Sequence, residues 1–158
     1  MEPYPEIIST GLPDIILPIK DRETLLRITP DFTALSELSL KHEVIGVHAF
    51  ALGEGLIGST CCEGACDLSQ VAAYCRNFAP AVGIDEEAAT GTSNGALTYY
   101  LYKNALIEAG SGFRFLQGES MGRPSIVLSS VESGPDGIKI RVGGSGAILA
   151  KGELSDFR

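Results

Sequence analysis

No stretch of this chain is apolar for the roughly 18–20 residues that a bilayer-spanning helix requires. The opening Met1-Glu2-Pro3-Tyr4-Pro5-Glu6 lacks both the positive cluster and the apolar run of a secretion signal. Positive charge is scarce: twelve Lys and Arg face twenty Asp and Glu, for a net charge of −8. A chain of that sign is a poor match for a nucleic-acid backbone or an anionic membrane, although a local basic pocket for a small anion stays open to it. These absences predict a cytoplasmic protein whose main partner is neither nucleic acid nor membrane. Metal-binding spacing is missing too. Cys61, Cys62, Cys66 and Cys75 run C-C-x3-C-x8-C, which is neither a C-x2-C pair nor a zinc ribbon, and no histidine stands near them. They read as reduced thiols with no metal; a metal site or a redox pair using Cys61, Cys62 and Cys66 is the alternative.

What is present suffices for a core. The chain has 158 residues, 44% hydrophobic and 20% charged, a balance that argues against a disordered chain. A domain of this size buries roughly 68–70% of its unfolded surface and folds without disulfides or metal. Residues 1–158 are read as one domain, with no internal repeat and no low-complexity tract.

Ile7–Ser9 and Ile15–Ile19 read as short strands punctuated by Gly11, Pro13 and Pro18. Asp21 is placed to cap a helix over Arg22–Ile28. A second helix is predicted after Pro30-Asp31, with Phe32, Leu35 and Leu38 at helical spacing. Val44–Leu52 is apolar on both faces and reads as a strand buried on both. Residues 53–67 read as a loop or edge hairpin, and Asp67–Phe78 as a further strand. From Thr92 to Ala109 the pattern turns helical and apolar almost all round, which places this helix in the middle of the domain. Thr90 or Thr92 can cap its start, and Gly110 stands where a stop is expected. Phe113–Gln117, Ser125–Val131, Ile138–Val142 and Ala147–Lys151 follow as strands, with turns at Gly134-Pro135-Asp136-Gly137 and Gly143-Gly144-Ser145-Gly146. Links that short favour antiparallel pairing. The expected fold class is α+β: a curved, mainly antiparallel, barrel-like sheet around one central helix.

Chemistry gathers just ahead of that helix. Glu86-Glu87-Ala88-Ala89-Thr90-Gly91-Thr92 sets carboxylates and a Gly-Thr turn at a helix start, where free N–H groups and the positive end of the dipole favour an anion. Gly91 lets a ligand approach the backbone, Thr92 adds a hydroxyl, and Glu87 at the rim can hold an amine or exchange a proton. On the residues alone, plain helix capping is the commoner explanation of the same pattern. Other features carry less. Arg123 reads as a structural arginine before an anion ligand. Gln117-Gly118 is expected to end a strand near the site. His48, on an apolar strand, reads as a satisfied core histidine, and Tyr99, Tyr100 and Tyr102 as core.

The run Arg76-Asn77-Phe78-Ala79-Pro80, then Gly83-Ile84-Asp85-Glu86-Glu87-Ala88-Ala89-Thr90-Gly91-Thr92, resembles the R-x-F-A-P…G-I-x-E-D-P-A-T-G-S pattern of the PhzF-type phenazine-biosynthesis isomerases. The resemblance continues in Gln117-Gly118, Met121-Gly122-Arg123-Pro124-Ser125, Val142-Gly143-Gly144 and Ala150-Lys151-Gly152-Glu153-Leu154, with Ser9-Thr10-Gly11-Leu12 fitting the start of the family's second half. It implies one half of a diaminopimelate epimerase-like fold, with the N-terminal half absent and the active site between two facing helix starts. It also implies cofactor-independent proton transfer on a small carboxylate or amino-acid-like ligand. Glu87 takes the place of the functional aspartate, and Thr90, Gly91 and Thr92 bind substrate. The family's principal glutamate and its G-H-A-T-type histidine motif lie in the other half and have no counterpart here. A second chain is therefore expected, either another copy forming a homodimer or a complementary N-terminal half. The alternative is a non-catalytic small-molecule-binding or assembly protein that keeps the fold. Glu for Asp adds a methylene and Ala88 replaces a proline, changes that binding tolerates better than proton transfer does.

Overall fold

Ile16, Phe50 and Phe115 are buried because the strands that carry them curl around a single helix. The computed structural model describes residues 4–56, 71–110 and 112–153. Two short strands come first, β1 (Glu6–Ser9) and β2 (Pro13–Ile19), followed by helices α1 (Arg22–Arg27) and α2 (Phe32–Lys41). Then come β3 (Gly46–Leu52), β4 (Ala73–Ala79), β5 (Ile84–Glu87), helix α3 (Gly91–Lys103), β6 (Gly112–Gln117), β7 (Ser125–Gly134) and β8 (Gly137–Gly143). Among the described residues these strands form one sheet in the order β1-β2-β3-β4-β6-β7-β8, with β5 attached to β4.

Pairing is antiparallel except between β2 and β3 and between β4 and β6. Those two parallel pairs are the ones whose connections contain helices, α1 and α2 in the first and α3 in the second, as a parallel crossover demands. The α+β architecture with a mainly antiparallel sheet around one helix is as the sequence predicts. Both leading helices carry aspartate caps: the Asp21 carboxylate accepts from Thr24 N (2.7 Å), as expected, and that of Asp31 from Ala34 N (3.0 Å). They cover the outer face of β3 and β4, where Leu25, Ala49, Ala51 and Phe78 form a small second core. The inner face packs on α3. That double cover explains why residues 46–51 are all buried.

Helix α3 is made of poor material, GTSNGALTYYLYK, and tertiary packing must hold it. Leu97, Tyr100 and Leu101 meet Phe50, Phe113, Phe115 and Val131 in the main core, with Phe50 edge-on to Tyr100 at 5.6 Å between centroids. Its far end is tied to the N-terminal strand, since Lys103 pairs with Glu6 and the Tyr100 hydroxyl donates to Tyr4 O (2.8 Å). The helix ends at Lys103, well before Gly110. Leu106 N donates to Leu101 O (2.9 Å) and Ala105 takes a positive φ of 55°, closing the helix with an alanine where glycine is usual. Gly110 instead donates to Val131 O (2.7 Å) and leads into β6.

Four further expectations change. Asp67–Phe78 begins later, at Ala73, and its first part, like most of 53–67 with Cys61, Cys62 and Cys66, lies outside the described residues. Cys75 is described, buried, and its thiol is held protonated by that burial. Residues 84–87 form a strand that the charges of Asp85, Glu86 and Glu87 concealed. Ala147–Lys151 forms none: residues 144–153 have no regular structure, Gly143-Gly144-Ser145-Gly146 turns no hairpin, and Ile148 and Leu149 are 77% and 97% exposed.

Arg76 is the buried cation that joins these layers. Its Nε and Nη2 donate to the two oxygens of Glu86 (2.9 Å each), and its Nη1 donates to Leu25 O (3.1 Å) and Ile28 O (2.7 Å) at the end of α1. The guanidinium also lies over the Phe78 ring, 4.9 Å from its centroid. The two side chains are 6% and 14% exposed. Glu86→Ala is therefore expected to cost about 3–5 kcal/mol, the penalty for leaving a buried charge unpaired. Asp85→Ala, at an exposed neighbour, is expected to stay within about 0.5 kcal/mol. Urea unfolding of the two variants checks both.

His48 gives a pH dependence. It is fully buried, its Nδ1 lies 3.0 Å from Asn77 Oδ1, and burial depresses its pKa from 6.5 to about 4. An unfolded ring takes up a proton below about pH 6.5 that the folded ring refuses until about pH 4. Stability therefore falls as pH drops through that window, by about 1.4 kcal/mol per unit. Glu6, lowered by Lys103, and Glu86, where Arg76 and Ser120 together outweigh the raising effect of burial, act only at lower pH, while Asp14, raised by burial, opposes the trend as its carboxyl takes up a proton. Between pH 6.5 and pH 5 the wild type is expected to lose about 2 kcal/mol in urea unfolding, and His48→Gln much less.

Candidate functional site

The start of α3 is assembled by three segments that meet under it. Strand β5 delivers Glu87, the link Ala88-Ala89-Thr90 turns into the helix, and β6 ends below it at Gln117. Gln117 is fully buried, and its carboxamide binds the whole turn. Its Nε2 donates to Glu87 O (2.7 Å) and Thr90 Oγ1 (3.0 Å). Its Oε1 accepts from Asn94 Nδ2 (2.7 Å) and Thr90 N (3.3 Å). Gly118 then adopts a φ of +85°, and a Cβ there would stand 2.4 Å from Arg123 O and 2.8 Å from Ala88 O. Only glycine admits that approach. Gln117-Gly118 thus lies under the site, as its place at a strand end suggested.

Thr90 occupies the N-cap position of α3 but does not cap with its side chain. Its hydroxyl donates instead to Glu87 Oε2 (2.9 Å). The first helical bond runs from Asn94 N to Thr90 O (3.2 Å), so the amides of Gly91, Thr92 and Ser93 precede the ladder at the positive end of the dipole. Ser93 and Asn94 face inward: Ser93 Oγ donates to Asp14 (2.6 Å), and Asn94 Nδ2 also bonds Thr90 O (2.7 Å). Asn94 Oδ1 and His48 Nε2 have no partner at hydrogen-bonding geometry, yet Asn94 lies near enough to favour the protonated ring. Burial outweighs that effect.

An open cleft of about 660 Å³ adjoins the helix start. Ala89, Thr90 and Gly91 line one side; Pro124 with Ser125 and Ile126 of β7, and Val142 and Gly143 at the end of β8 with Gly144, line the other. Thr92 lies across the helix, in a narrower groove of about 210 Å³ with Thr10, Gly91 and Gly95. The structure thus brings Thr90 and Gly91 to one cleft and places Thr92 on its neighbour. Glu87 stands half-buried behind Thr90 rather than in the cleft wall. Arg123 is exposed, and among the described residues its guanidinium makes no ion pair or hydrogen bond, contrary to a structural role. Glu86, next to Glu87, belongs to Arg76 and Ser120. Sequence reasoning missed Asn94 and the reach of Gln117. A polar pair inside otherwise apolar elements was the available signal. Among the described residues no cluster of His, Cys, Asp or Glu suits a metal ion, and no helix is long and apolar enough to cross a membrane.

Comparison with known proteins follows the same segments. Residues 2–152 match the family described as phenazine biosynthesis-like protein, PhzC-PhzF. An uncharacterized isomerase of Clostridium acetobutylicum is 29% identical over 157 residues, covering 94% of this chain and 47% of that protein. A trans-2,3-dihydro-3-hydroxyanthranilate isomerase of Pseudomonas chlororaphis is 36% identical over 80 residues, 50% of this chain and 29% of that protein. Among solved structures, a PhzF-family phenazine biosynthesis protein of Bacillus anthracis superposes with a TM-score of 0.67 at 22% identity, covering 87% of this chain and 44% of that one. The chain thus spans about half the length, or less, of the relatives it matches. On the extent of the family match and the shared fold, this chain belongs to the phenazine biosynthesis-like (PhzC-PhzF) family.

Proposed function

We propose that this chain supplies one half of a cofactor-independent isomerase or epimerase acting on a small carboxylate or amino-acid-like compound. The observation that carries the reading is the α3 start: Thr90 and Gly91, ahead of the helical ladder, line a cleft, with a carboxylate one residue layer behind. The amides of Gly91 and its neighbours hold the substrate carboxylate, the Thr90 backbone closes the cleft, and Glu87 exchanges a proton at the adjacent carbon. Thr92 contributes from the groove side. Family membership supports the reaction class, since relatives in the family carry isomerase names.

A second chain completes the site in this reading, as another copy or as a complementary half. The chain covers 47% of its Clostridium relative, and apolar side chains stand exposed around and beyond the cleft, with Val142, Ile148 and Leu149 among them. Such surface is normally covered. The non-catalytic alternative keeps the cleft and lacks the exchange.

Incubation in deuterated water with α-amino and α-hydroxy carboxylates separates the two. Deuterium uptake at the α-carbon is expected, and Glu87→Gln is expected to reduce it by roughly 10²-fold or more, the usual contribution of a general base. Binding without exchange in any compound would leave the non-catalytic reading, or a split enzyme whose complementary half must be added.

A further inference from the structure

The carboxamide of Gln117 has only one orientation open to it. Its Nε2 faces Glu87 O at 2.7 Å, an atom that only accepts, and its Oε1 faces Thr90 N at 3.3 Å, a group that only donates. Asn94 Nδ2 confirms the assignment: it donates to Thr90 O and to the same Gln117 Oε1, both at 2.7 Å. With the amide so fixed, its second N–H points at Thr90 Oγ1 at 3.0 Å. Thr90 has a single hydroxyl proton. That proton cannot go back to a donor, so it goes to Glu87 Oε2, 2.9 Å away.

The chain of donors therefore runs one way, from Gln117 through Thr90 to Glu87. We propose that Gln117 is a positioning residue: by fixing the direction of the Thr90 hydroxyl it pins one oxygen of Glu87 and leaves the other to meet a proton of the substrate. This rests on the proposed role of Glu87 above. A glutamate has one more rotatable bond than an aspartate and more freedom to lose on being ordered, and the Thr90 bond restrains that freedom. Gln117 is not itself among the residues that line the cleft, and it reaches the Glu87 carboxylate through the Thr90 hydroxyl.

The test reads the hydrogen-bond direction and the chemistry separately. In the wild-type chain, NMR is expected to show a Thr90 hydroxyl proton protected from solvent exchange, with a through-space contact to Gln117 Nε2–H. In Gln117→Met its exchange is expected to speed up about tenfold, the size of one lost hydrogen bond. The Glu87 side-chain carboxyl carbon resonance is expected to shift in Gln117→Met and in Thr90→Val, and to return in Thr90→Ser, which restores the hydroxyl. Affinity for benzoate, the carboxylate probe, is expected to stay within about twofold in Gln117→Met while α-carbon exchange falls about tenfold, because orientation and not binding is lost.

Should Gln117→Met fail to fold, the wild-type spectrum still decides: a Thr90 hydroxyl exchanging like that of free threonine overturns the proposal. So does a Glu87 resonance indifferent to Thr90→Val, or an unchanged exchange rate in a folded Gln117→Met. No benzoate binding by the wild-type chain would be the failure of the carboxylate-site reading itself, visible apart from the hydroxyl signal.

Discussion

The structure depends on keeping a poor helix dry. Segment 91–103 has two glycines, two threonines, a serine and an asparagine among thirteen residues, and in water such a segment is not helical. Wrapping the sheet around it supplies apolar contact on Leu97, Tyr100 and Leu101. It also forces Ser93, Asn94 and Thr98 into the interior, where each polar group must be matched. Asp14 from β2, Gln117 from β6 and Ser129 from β7 do the matching. Three strands, β2 far in sequence from β6 and β7, are thereby committed to one helix, and the register of the sheet and the position of the helix become a single constraint.

The same constraint sorts the carboxylates of residues 85–87 into different roles. On a four-residue strand pairing with β4, neighbouring side chains alternate faces. Glu86 falls to the side where Arg76 waits beneath α1, and Glu87 to the side of the α3 turn. Asp85 is left in solvent. The arginine that leads the motif Arg76-Asn77-Phe78-Ala79-Pro80 is thus an architectural residue. It holds α1, β4 and β5 in one block, against which the helix start is set.

Much of this was legible in the residues, and the remainder was hidden for identifiable reasons. Asp21 and Asp31 announced their helices because a cap is a local signal. The all-round apolar run over Leu97 to Leu101 announced a central helix because full burial leaves a mark on composition. The end of that helix at Lys103 left no mark: an alanine at positive φ is a consequence of tertiary packing. Strand β5 was masked by its acids, whose partners Arg76 and Thr90 lie on other elements. At the site, Thr90, Gly91 and Glu87 could be placed by pattern and family resemblance. The direction of their hydrogen bonds could not, because it is decided by a glutamine thirty residues from Glu87.

The long reach of these contacts also has a bearing on time. The Asp14–Ser93 bond spans 79 residues and the Glu6–Lys103 pair spans 97, while β8, which closes over α3, ends at Gly143. Contacts of such separation pay loop-closure entropy before they return any stabilisation, which slows folding. During synthesis, Leu97, Tyr100 and Leu101 leave the ribosome with their cover unfinished and stay so until β7 and β8 have been made. The interval between helix and closing hairpin is when a growing chain would be most prone to stick to its neighbours.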